Sequence, residues 1–141
     1  MNILFLLTPK AKCAYLHDDD TMRQALERME SSGFAALPIL NKDGSYRGTL
    51  TEGDLLWGIK KLGLTDLRAM ENHGIMEIAH RRDNTPVSVA AKAEDLVSTA
   101  VTQNFVPVVD DRNTFIGIIT RKAIMQYFMD RYMTPQEEAV H

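Results

Sequence analysis

The stretch that decides the fold reads Leu37-Pro38-Ile39-Leu40-Asn41-Lys42-Asp43-Gly44-Ser45-Tyr46-Arg47-Gly48-Thr49-Leu50-Thr51, and the chain carries it twice. The second copy reads Val106-Pro107-Val108-Val109-Asp110-Asp111-Arg112-Asn113-Thr114-Phe115-Ile116-Gly117-Ile118-Ile119-Thr120. Pro38 to Gly48 is the same step as Pro107 to Gly117, and Gly48 to Thr51 the same as Gly117 to Thr120. The offset therefore holds at 69 residues without a gap. Self-similarity in fixed register marks a duplicated structural unit.

Each copy predicts a hairpin. An apolar run meets a polar cluster, Asn41 to Ser45 or Asp110 to Thr114, and a second apolar run follows. Asp43-Gly44 is the stronger turn signal, because glycine tolerates positive φ. Pro38 and Pro107 are placed at the head of their strands, where a missing N–H does least harm.

Working outward, a helix precedes each hairpin. Thr21-x-x-Gln24 has the form of a capping box, and Met22, Ala25, Leu26 and Met29 share one face. Ser32-Gly33 stops that helix. In the second copy, Glu94 to Gln103 offers Leu96, Val97, Ala100 and Val101, with one residue fewer before the hairpin. Short strands are expected near Ala14 to Leu16 and Val87 to Val89. A second helix follows each hairpin: Leu55, Leu56, Ile59 and Leu62 up to Gly63, then Ile124, Met125, Phe128 and Tyr132. Residues 64–84 connect the copies, with Thr65-Asp66 as a cap for a short helix and His80 to Asp83 expected at the surface. Met1-Asn2 and Gln136 to His141 need no order.

The predicted fold class is α+β: two pseudo-twofold-related β-α-β-β-α repeats, residues 10–63 and 85–132, packed sheet to sheet. One repeat alone buries its apolar sheet face poorly. Two copies closing on each other share that face and leave two related clefts along the seam.

Composition bounds the function. The chain has 141 residues, 45% apolar and 25% charged, with a net charge of −3. That is ordinary for a soluble globular domain, and a mildly acidic chain is a poor general nucleic-acid binder. The apolar run Ile3 to Leu7 is far short of the roughly 20 residues of a membrane helix and lacks the flanks of a signal peptide. Cys13 stands alone, which suits a reducing compartment, so a cytoplasmic protein without membrane contact is expected. His17, His73, His80 and His141 lack metal-site spacing, and Asp18-Asp19-Asp20 reads as a solvated helix approach. No nucleophile–base pair, Gly-rich phosphate loop or nucleophile elbow is present, so an enzyme is not expected.

The order of elements and the Pro-hairpin-Gly-x-x-Thr-x-x-Asp pattern resemble a tandem pair of CBS domains, a Bateman module, over roughly residues 10–132. The first copy fits through Gly48-Thr49-Leu50-Thr51-Glu52-Gly53-Asp54. The second departs, with Ala123 where the family usually has Asp. Lys12-Cys13-Ala14 and Thr120-Arg121-Lys122 further resemble the stand-alone CBS-pair proteins of Gram-positive bacteria that sense cyclic di-AMP. The resemblance implies a regulatory module that takes AMP, ADP, ATP or cyclic di-AMP as ligand, with no required cofactor. It also implies a homodimer joined through the helices around Trp57, and an unidentified protein target. Trp57 is equally readable as a cap on the core.

The resemblance also implies a division of residues. Lys12, Cys13, Ala14, Phe34, Ala35 and Ala36 would face Thr120, Arg121 and Lys122 across a basic cleft. Thr85, Val87, Asn104, Phe105 and Val106 would face Thr51 and Asp54 across an acidic one. Phe34 offers a stacking surface and Arg121 a bidentate phosphate grip. Asp54 would take a ribose diol. The residues admit a plainer reading too: Thr51 and Asp54 as helix cap and first-turn charge, Phe34 as core, Arg121 and Lys122 as an exposed basic pair. On that reading the chain is a protein–protein scaffold whose clefts hold no physiological nucleotide.

Overall fold

The computed structural model describes residues 2–79 and 85–140, with side chains described up to residue 133. Seven strands and five α-helices follow one another among the described residues. The first repeat runs β2 (Leu16–His17), α1 (Met22–Ser32), β3 (Ala36–Leu40), β4 (Tyr46–Thr51) and α2 (Glu52–Leu62). The second runs β5 (Val87–Ser88), α4 (Ala93–Ala100), β6 (Phe105–Val109), β7 (Phe115–Thr120) and α5 (Arg121–Val140). Ahead of them lies β1 (Thr8–Pro9), and α3 (Leu67–Met70) sits between, capped by Asp66 as expected.

Local signals explain most boundaries. Thr21 accepts from the Gln24 N–H and Gln24 reaches back to the Thr21 N–H, the reciprocal box read from the sequence. α1 and α2 stop at Gly33 and Gly63. Both hairpins carry an irregularity at the same point, between Ile39 and Leu40 and between Val108 and Val109. The offset is not uniform, however. Phe105 lies 69 positions after Ala36, but Val87 lies 71 after Leu16. The second copy is thus two residues shorter between strand and hairpin, because α4 has eight residues against eleven in α1 while the turn after it is one residue longer, not one shorter as expected. Val101 consequently points to solvent instead of joining the apolar face. Leu56, Met125 and Tyr132 likewise lie outside their expected faces, and Trp57 does not cap the core. Pro38 and Pro107 are third in their strands; pairing with β2 and β5 begins only at Ile39 and Val108, just past each proline.

The two sheets are unequal. One has the order β2-β3-β4, the other β1-β7-β6-β5. The extra strand is the N-terminal segment, which pairs antiparallel with β7 through Thr8–Ile118 and Pro9–Gly117. Ile3 anchors that segment, fully buried among Leu96, Val106, Ile119 and Ile124 of the second repeat.

Strand alternation sorts the side chains into three cores. Leu37, Ile39 and Leu50 face α1 and α2; Val106, Val108 and Ile119 face α4 and α5. The opposite faces meet in a third cluster of Leu40, Tyr46, Phe105, Val109, Phe115 and Ile118. This cluster is the seam, and at the hairpin tips it is closed by an antiparallel bridge between Ser45 and Thr114. Among the described residues no helix is long and apolar enough to cross a membrane.

Candidate functional site

A cavity of about 280 Å³ opens along the seam. That size is near the lower end of small-molecule pockets, which span roughly 300 to 1,000 Å³. Its N-terminal wall is Thr8, Lys12, Cys13 and Ala14, delivered by β1 and the 3₁₀ turn Lys10–Lys12. Its first-repeat wall is Phe34, Ala35, Ala36, Leu37 and Pro38, where the chain leaves α1 and enters β3. Its second-repeat wall is Asn104, Phe105, Ile118, Thr120 and Lys122.

The walls are chemically unlike. Phe34 is about half exposed beside two alanines, so an aromatic face stands next to open space. Lys12 and Lys122 are the charged residues of the lining, and no carboxylate joins them there. They come from distant parts of the chain, one ahead of the first repeat and one in the first turn of α5, and are brought to one cavity by the pairing of the N-terminal segment with β7. Burial pushes the Cys13 thiol up, and its Sγ lies 3.4 Å from the Thr8 and Pro9 carbonyls. The thiol packs against the segment that carries it and stays neutral, a poor nucleophile.

Sequence reasoning and geometry part at several residues. Asn104 and Phe105 sit on the cavity with Lys12, whereas they were expected across from Thr51 and Asp54. Val87 and Val106 line no part of it; they belong to the core under α4 and α5. The reason is the two-residue alternation of a strand: Phe105 faces the seam, so its neighbour Val106 faces the helices. Arg121 is absent from the lining as well. Its Nε donates to the Ala100 carbonyl at 3.0 Å and an Nη to the Gln103 carbonyl at 2.9 Å, behind the wall.

Thr51 and Asp54 close on each other. Thr51 Oγ1 accepts from the Asp54 N–H at 3.1 Å, and an Asp54 carboxylate oxygen accepts from the Thr51 N–H at 2.9 Å. Asp54 is buried in this box. In the second copy, Thr120 Oγ1 accepts from the Ala123 N–H at 3.0 Å, but Ala123 has no carboxylate to return the bond. Thr85 is exposed, its N–H donating to Gln103 Oε1 at 2.9 Å. The segment before Thr85, where Lys12 would have its counterpart, includes residues 80–84 and so lies outside the described residues, as does the expected surface run His80 to Asp83.

Four lining residues escaped the sequence reading: Thr8, Leu37, Pro38 and Ile118. Ile118 and Pro38 had a usable signal, since each is two places from a residue already assigned to the cleft, Thr120 and Ala36. Thr8 had none, for a two-residue strand has no periodicity.

The pattern of the CBS domain matches residues 7–61 and 75–130. The chain belongs to the CBS domain family. Both copies of this CBS pair are therefore identified by sequence as well as by fold. Among solved structures, a CbpB protein in complex with c-di-AMP is 25% identical, covers 98% of this chain and 91% of its own, and superposes with a TM-score of 0.85. CbpB from Streptococcus agalactiae is 28% identical over 94% of this chain and 83% of its own, with a TM-score of 0.80. The Listeria monocytogenes CbpB protein in complex with c-di-AMP shares the fold at 21% identity, a TM-score of 0.81, and coverage of 95% and 98%. No curated protein matches the sequence.

Proposed function

We propose that this CBS pair is a regulatory module, not an enzyme, that binds an adenine nucleotide in the seam cavity, with cyclic di-AMP the favoured ligand. The observation that carries the reading is that Lys12 and Lys122 both line a cavity whose wall is otherwise mostly apolar and carries no carboxylate. A purine stacks on Phe34 beside the small side chains of Ala35 and Ala36. Phosphates take the two ammonium groups, and a ligand with two phosphodiesters satisfies both at once. The likeness to a CbpB structure holding c-di-AMP supports the same choice.

Lys12 rides on the N-terminal segment and Lys122 on α5, so a ligand spanning them favours one arrangement of these two elements. Differential affinity for that arrangement is what turns binding into a signal. Leu56 and Trp57 on α2 and Met125 and Met129 on α5 present exposed apolar side chains that suit a homodimer or a protein target. Repeat limits of 10–63 and 85–132, a connection over 64–84 and a cytoplasmic setting complete the proposal.

Isothermal titration with cyclic di-AMP, AMP, ADP and ATP tests it. Saturable binding of cyclic di-AMP that weakens at least tenfold in both Lys12→Ala and Lys122→Ala supports the site. No heat from any of the four at millimolar ligand leaves only the scaffold reading.

A further inference from the structure

The strongest cation beside the cavity does not face it. Arg121 opens α5 between Thr120 and Lys122, both of which line the cavity, yet its guanidinium turns to the back of the wall. There it spans two carbonyls, Ala100 at the end of α4 and Gln103 in the turn that follows. Its own backbone N–H donates to the Asn104 carbonyl at 2.9 Å. Gln103 is itself buried, and its side chain extends the network in two directions. Nε2 donates to the Phe105 carbonyl at 3.1 Å, and Oε1 accepts from the Thr85 N–H at 2.9 Å.

We infer that Arg121 is a positioning residue for the proposed nucleotide site: its guanidinium clamps the α4–β6 turn and so sets Asn104 and Phe105 as one wall of the cavity. The first repeat shows why a clamp is needed here. There the backbone bond Glu52 N–H to the Ala35 carbonyl occupies the place of Arg121 N–H to Asn104. α1, however, runs eleven residues and ends on Gly33, which tucks its N–H onto the Met29 carbonyl. α4 has eight residues and no glycine stop: its cap residue Val101 stays right-handed and gives its N–H to the Thr99 carbonyl, so the Ala100 carbonyl takes its donor from elsewhere. The Arg121 fork supplies that donor and a second one to Gln103 in the turn beyond the helix, from a side chain whose planar donors fit two oxygens at once.

This inference rests on the nucleotide reading for its binding consequences but not for its structural ones. Lysine separates geometry from charge. Arg121→Lys keeps a cation beside Lys122 but has no rigid fork to span Ala100 and Gln103. In the ligand-free full chain, Arg121→Lys is expected to displace the ¹H–¹⁵N amide signals of Asn104, Phe105 and Thr85 while those of α1 and β3 stay in place. With cyclic di-AMP as probe, Arg121→Lys and Arg121→Ala should both bind about tenfold more weakly than the parent, with unchanged salt dependence. Lys122→Ala should weaken binding and flatten the salt dependence, as loss of a direct charge contact does.

Unmoved Asn104, Phe105 and Thr85 signals overturn the clamp whatever the ligand does. Parent-like affinity in Arg121→Lys overturns it too, because charge alone then suffices. A salt dependence flattened in Arg121→Ala, as in Lys122→Ala, makes Arg121 a phosphate contact instead. Failure of the parent protein to bind any adenine nucleotide defeats the functional reading separately, and the amide signals still decide the clamp.

Discussion

Tyr46 and Phe115 hold equivalent places in the two repeats, and each gives its amide N–H to the other repeat's turn. Tyr46 N–H donates to the Asn113 carbonyl at 3.1 Å and Phe115 N–H to the Gly44 carbonyl at 3.0 Å. The acceptors are themselves equivalent, and both have positive φ, 87° at Gly44 and 63° at Asn113. The pseudo-twofold axis therefore passes between two turns that depend on the left-handed region. Asn113 adds an Nδ2 bond to the Tyr46 carbonyl at 3.2 Å. Gly44→Ala should cost about 1 to 2 kcal/mol, the strain of placing an L side chain there. A urea titration that finds no loss would show that the turn relaxes without disturbing the seam.

Gly117 is required by a different neighbour. A Cβ there would run into the Thr8 carbonyl and the Leu7 side chain, whereas one on the equivalent Gly48 meets open space. Gly117→Ala should push the N-terminal segment off β7, destabilising the fold by about 1 to 3 kcal/mol. It should also weaken nucleotide binding, because that segment delivers Lys12. Gly48→Ala should leave both within experimental error. Equal melting temperatures for the two variants would contradict the pairing of β1 with β7.

The helix starts differ in a way that separates stability from binding. Asp54→Ala removes the acceptor for the Thr51 N–H inside a buried capping box and should cost about 1 to 2 kcal/mol. It should not change affinity at the Lys12 cavity. Ala123→Asp would complete the missing half of the second box, adding about 0.5 to 1 kcal/mol at the positive end of α5. The same carboxylate, next to Lys122, should weaken binding of an anionic ligand. A melting-point rise with unaltered affinity would argue against charge as the basis of recognition in the cavity.

Tyr46 ties stability to alkaline pH. Burial in the seam pushes its phenol up to about 12, although the hydrogen bond with Thr49 works the other way. The folded-state value is raised, so the contribution is fully present below pH about 10 and is lost as pH climbs toward 12. Between those limits the slope approaches about 1.4 kcal/mol per pH unit. Chemical denaturation across this range should show that loss, and Tyr46→Phe should remove it. A variant with the same alkaline slope as the parent would place the titrating group elsewhere.

The site was less legible than the frame that holds it. Lys12, Phe34 and Lys122 could be assigned to a cleft because the resemblance to a CBS pair places their segments there. Arg121 was assigned to the same cleft and does not line it, because nothing along the chain says which way a guanidinium turns; the Ala100 and Gln103 carbonyls at the end of the short α4 hold it behind the wall. Asn104 and Phe105 were placed on the other cleft because a family pattern assigns segments, while strand pleat assigns individual side chains. The docking of Thr8 and Pro9 on β7 left its trace only in Gly117, whose need for a bare Cα is invisible until the neighbouring backbone is in place.

Duplication, element order and the seam were determined by the sequence alone, because hydrophobic period and turn chemistry are local properties written twice at a fixed spacing. The tertiary structure alone decided which side chains of the expected segments line the cavity, that Arg121 turns behind its wall, and that the repeats are unequal. Those facts depend on long-range contacts, in which an N-terminal strand, a two-residue deletion and one arginine each act on residues far away in the chain.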